Sequence, residues 1–135
     1  MSNEERWKQR FQNFENAYKV LTRMIERKKL TPGDEAVEIA LIKSFEFTYE
    51  LAWKTLKSYL ESEGFDNIAG SKDTIRTAFQ AGLIDDAEGW LNAVQKRNIA
   101  SHTYDEEILS EGVAFIDADY YPLVSKLYSV LKEKS

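Results

Sequence analysis

The chain has 135 residues, 43% of them hydrophobic and 30% charged, with no cysteine and a formal net charge of −5. That balance suits one globular domain, residues 1–135, with a self-sufficient core rather than a disordered chain. It excludes disulfides, thiolate metal sites and cysteine nucleophiles, argues against sequence-blind coating of nucleic acid, and, with no long apolar run and no signal-like start, leads us to expect a cytoplasmic protein.

Five helical segments and no strand are predicted. Ser2 and Glu5 form a capping box, behind which Trp7, Phe11, Phe14, Tyr18, Leu21 and Ile25 recur at helical spacing on one face. Arg27, Lys28 and Lys29 suit the C-terminus of that helix, and Thr31-Pro32-Gly33-Asp34 restarts the chain with proline expected at the first helical position. The second helix, about 34–63, carries an apolar arc too wide for a surface helix: Val37, Leu41, Phe45, Thr48, Ala52, Leu56 and Tyr59, flanked by Ile42, Tyr49, Trp53 and Leu60 and by Phe47 and Leu51. It is expected either at the centre of a bundle or against a second copy. Gly64-Phe65 closes it, and a shorter helix after Ser71 closes in the same way at Gly82-Leu83. Asp85-x-x-Glu88 opens a fourth helix, about 86–102. The fifth runs from about 105 to the end, with a kink or break expected between 117 and 121 because Pro122 cannot continue it. The fold class is all-α, an up-and-down bundle of four to five helices.

The apolar stripe of the fourth helix, Ala87, Trp90, Leu91 and Val94, turns polar when extended one turn, landing on Asn98 and Ser101, with Arg97 and His102 at its edges. All four are expected on the inward half of the helix end, with Tyr104 and Asp105 following. Two readings fit. His102 caps the helix with Asn98 as its partner while Arg97 pairs with a carboxylate of another helix. Alternatively, Arg97, Asn98 and His102 form a site for a phosphate-bearing ligand, since guanidinium matches phosphate oxygens and imidazole exchanges protons near neutral pH. Arg97 and His102 diverge around a straight helix, so a site using both needs an early helix end or two copies.

Arg97-Asn98-Ile99-Ala100-Ser101-His102-Thr103-Tyr104 resembles the R-x4-H-x-Y signature of HEPN domains (higher eukaryotes and prokaryotes nucleotide-binding). With Phe45 to Leu60, Ile75 to Ile84 and Trp90, nearly the whole chain resembles the nucleotidyltransferase substrate-binding proteins, helical partners of a minimal nucleotidyltransferase encoded nearby. Lys72 departs from the pattern, where relatives often carry proline. The resemblance implies a HEPN-like homodimer whose cleft is a metal-independent endoribonuclease site needing no cofactor. In it His102 is acid or base, Arg97 stabilises phosphoryl charge, Asn98 orients His102 or a phosphate, and Ser101 and Asp105 contact ligand. It also implies that the partner nucleotidyltransferase neutralises such a toxin by moving AMP onto the motif tyrosine, here Tyr104. The alternative function is a non-catalytic subunit that binds the nucleotidyltransferase and presents its substrate. The chain is not itself the nucleotidyltransferase: Gly70-Ser71 begins a helix, without the sheet-borne carboxylates that hold magnesium.

Overall fold

A computed structural model describes all residues, Met1–Ser135. Two long helices, α1 (Asn3–Leu30) and α2 (Glu35–Ser62), are followed by α3 (Ser71–Gln80) and α4 (Ala87–Lys96), a 3₁₀ segment Arg97–His102, α5 (Glu106–Phe115), a π turn Ile116–Tyr120, and α6 (Tyr121–Lys134). It is the expected all-α bundle, with α5 and α6 forming one bent fifth helix. No helix is long and apolar enough to cross a membrane.

Local chemistry sets the boundaries. The Ser2 hydroxyl accepts from the Glu5 amide, closing the predicted capping box. Proline is not the first residue of α2: Pro32 stays in the turn, and Asp34 caps the helix by accepting from the Ala36 and Val37 amides. A carboxylate that satisfies two free amides holds that position better than a ring with no donor. Asp86, not Asp85, likewise caps α4 through the Gly89 amide at 2.8 Å. Gly64 and Gly82 adopt positive φ and end α2 and α3, letting Phe65 and Leu83 donate back to the Leu60 and Ala78 carbonyls. The break ahead of Pro122 begins at Ile116, slightly earlier than expected, where the Tyr121 amide reaches the Ile116 carbonyl and winds one wide turn.

That turn swings Tyr120 into the centre, fully buried against Phe45 and Trp90, with its hydroxyl 2.7 Å from Thr48 Oγ1. The buried apolar side chains form one continuous cluster drawn from every helix. The second helix is central, in contact with α1, α3, α5, α6 and the 3₁₀ segment, which accounts for its wide apolar arc. Phe47 is the exception, 62% exposed on its outer side.

Candidate functional site

The fourth helix stops at Lys96, and residues 97–102 wind more tightly. The tighter turn puts Ile99 and Ala100 into the core and leaves Arg97, Asn98, Ser101 and His102 exposed. The expectation of an inward-facing polar cluster is therefore corrected: it extrapolated the stripe of Trp90 and Val94 at α-helical pitch, whereas a 3₁₀ segment advances about 120° per residue. Ile99 anchors the segment between Ile42 of α2 and Gly112 of α5. A methyl group at Gly112 would lie 2.8 Å from Ile42 Cδ1 and 2.9 Å from Ile99 Cγ2. Glycine at that position lets α5 come close enough to hold Ile99.

Arg97 reaches across to α2, where Nη1 lies 3.9 Å from Glu50 Oε1, both side chains remaining partly exposed. Glu50 also lies 3.7 Å from Lys54. The structural alternative, a carboxylate partner for Arg97 on another helix, is thus realised, although at a length and exposure that make it a weak tie. Glu50 falls outside the apolar arc of α2; a pairing between helices leaves no periodic trace.

His102 is not bonded to Asn98. Its Nδ1 lies 3.4 Å from the Tyr104 hydroxyl, and its carbonyl accepts from the Asp105 amide at 3.0 Å. Tyr104 is 81% exposed. Asp105 uses Oδ1 to cap α5, accepting from the Glu107 and Ile108 amides. Asn98 lines a separate depression of about 320 Å³ with Ile108 and Glu111 on the α5 side. Ser101 makes no hydrogen bond with another side chain. Thus the structure joins His102 to Tyr104 and Arg97 to Glu50, and brings neither pair onto the other within one copy. A wider cleft, about 950 Å³, lies elsewhere, between α4 and the start of α6, and is lined by Asp85, Asp86, Glu88 and Asp119. No group of three or more histidine, aspartate or glutamate side chains is arranged to hold a metal ion.

Next to Arg97 lies a further residue that sequence reasoning had treated only as apolar. Tyr49 of α2 is fully buried and its hydroxyl has no hydrogen-bond partner. Burial raises its pKa, while Ser71 and the Arg97 charge pull it back.

The sequence model of a family described as "Nucleotidyltransferase substrate binding protein like" matches residues 9–133. A curated Haemophilus influenzae protein named "Probable ribonuclease HepT" is 39% identical over 98 residues, covering 70% of this chain and 66% of that protein, just under two thirds of its length. A solved Haemophilus influenzae structure, described as revealing the fold of a substrate binding domain of a nucleotidyltransferase, superposes with a TM-score of 0.81 at 30% identity, covering 90% of this chain and 98% of that one. A crystal structure from Thermus thermophilus gives a TM-score of 0.75 at 31% identity, covering 89% and 97%.

Proposed function

This chain belongs to the nucleotidyltransferase substrate-binding protein-like family, and from that premise we propose that it is the HEPN-type subunit of a two-component system, a metal-independent endoribonuclease neutralised by a partner nucleotidyltransferase. The observation that carries this reading is the setting of the chain's single histidine. His102 stands in solvent, 3.4 Å from the Tyr104 hydroxyl, on the same short segment as an exposed Arg97. A residue kept for core packing has no need of that exposure.

In the proposed reaction His102 takes the proton of a ribose 2′-hydroxyl, whose oxygen then bonds to phosphorus. The bond from phosphorus to the 5′-oxygen breaks, and that oxygen takes a proton from an imidazolium or from water. The products are a 2′,3′-cyclic phosphate and a 5′-hydroxyl. Arg97 leaves Glu50 and offers its paired donors to the non-bridging oxygens, where negative charge gathers. Asn98 and Ser101 supply neutral hydrogen bonds at the edge of the site. Because Arg97 and His102 diverge around their segment, a complete site draws on two copies facing one another. Exposed Phe47, on the same side of α2 as Glu50, supports a second copy there. An AMP placed on Tyr104 sets bulk and negative charge beside His102 and repels an RNA phosphate.

Purified wild-type protein is expected to cut RNA in the presence of a chelator, leaving 2′,3′-cyclic ends. His102→Ala and Arg97→Ala each lose at least about 100-fold of that rate, with circular dichroism unchanged. If wild-type protein cleaves no RNA and its expression is harmless, the second reading holds: a non-catalytic subunit that presents substrate to the nucleotidyltransferase. The existing tie between Arg97 and Glu50 supports that reading, as does the relative described as a substrate binding domain.

A further inference from the structure

We infer that the N-terminus of α3, together with Tyr49, Trp53 and Arg97, forms a phosphate subsite beside the His102 segment. The inference rests on the proposed reading in that Arg97 serves both, but the groups that define the subsite belong to α2 and α3.

Only two buried side-chain polar atoms lack a hydrogen-bond partner, the Tyr49 hydroxyl and Trp53 Nε1. They are one turn apart on the same face of α2, and α2 packs against α3. Ser71, the first residue of α3, acts on the Tyr49 phenol without meeting the geometry of a hydrogen bond, and the Arg97 charge acts on it too. Gly70 precedes α3 and brings no side-chain cap. The amides of Ser71, Lys72 and Asp73 therefore have no acceptor in the protein. The unpaired amides and the indole N–H are donors, and the phenol can donate as well.

The carboxylates nearby are already engaged. Asp73 accepts from the Ala69 amide at 2.9 Å, and Glu50 lies between Arg97 and Lys54. The missing acceptor must come from outside the chain, and several converging donors at a helix N-terminus fit the oxygens of a phosphate. Arg97 swings off its long contact with Glu50 onto the phosphate. A phosphate held here positions the neighbouring part of the same ligand at His102.

Amide spectra of the full chain titrated with inorganic phosphate test the subsite. Saturable shifts are expected at Ser71, Lys72, Asp73 and the Trp53 indole N–H. Tyr49→Phe should weaken them about tenfold, yet melt no lower than wild type, because the hydroxyl it removes bonds to nothing in the fold. His102→Ala should bind phosphate as the wild type does, so a wild type that binds phosphate but cuts no RNA still supports the subsite while removing the ribonuclease reading. Parallel titrations with AMP and with a short oligoribonucleotide separate the two sources of phosphate: the tighter binder identifies the natural one. No saturable shift at residues 71–73, or unchanged affinity in Tyr49→Phe, overturns the inference.

Discussion

Tyr120 carries a polar group into the middle of the bundle and keeps its proton there. Burial is the main force raising its pKa far above the ordinary phenol value, against a smaller pull from Thr48. Thr48 Oγ1 also lies 2.9 Å from the Ser44 carbonyl and 3.1 Å from that of Phe45, so losing Tyr120 does not leave it unpaired. Tyr120→Phe is therefore expected to cost only about 1 kcal/mol in urea unfolding, whereas Tyr120→Ala opens a cavity and costs roughly 3–5 kcal/mol. At this scale the types of the candidate residues were legible: Arg97, His102 and Tyr104 stood out against a helical background. Their direction was not, because it depends on a change of helical pitch that no residue between 97 and 102 announces. Glu50 and Tyr49 were invisible as site residues for a related reason. One partners across helices, and the other is distinguished only by a bond it fails to make.

Between elements, the close approach of α5 to the 3₁₀ segment rests on the missing side chain of Gly112. Alanine there favours the helix by about 1 kcal/mol, but its methyl meets both Ile42 and Ile99 below van der Waals distance. Overpacking of this kind costs about 1–3 kcal/mol, so Gly112→Ala should be net destabilising in chemical denaturation. It should also displace Ile99, seen as amide shifts spread over residues 97–102 and not over α1. Stability unchanged with those shifts absent would mean that the space at Gly112 takes a methyl group without displacing Ile99. Capping residues and glycines gave away the ends of α2 and α3, and Pro122 the bend in the last helix. The short α4 was overextended because its apolar stripe did not show where the α-helical bonds stop.

Across the whole molecule, α1 and α6 are joined through Glu15, which is 7% exposed. Its Oε2 accepts from the Tyr128 hydroxyl at 2.6 Å and from Lys132 Nζ at 2.9 Å. The Tyr128 hydrogen bond, then that of Lys132, holds the Glu15 pKa below its ordinary value of 4.5. The Glu15 hydrogen bond, then burial, pushes Tyr128 from 10.0 up to about 12. A depressed carboxylate contributes stability that is complete above its unfolded pKa and drains away as pH falls through its folded value. A raised phenol contributes fully below 10.0 and loses its share as pH climbs towards about 12. Both limits describe one hydrogen bond. The melting difference between wild type and Tyr128→Phe should therefore form a plateau between those limits and shrink on either side of it. No difference at any pH would show that the link is packing alone, through the stacks with Phe11 and Tyr18 that a phenylalanine ring preserves.

Ile99 and Ala100 secure the 97–102 segment to the interior, while the hydrophilic positions around them add only a weak tie from Arg97 to Glu50. The scaffold is thus indifferent to what it displays at that rim. A descendant of this chain could trade its imidazole and guanidinium for other groups and change the chemistry of that rim, and the bundle beneath would fold as before.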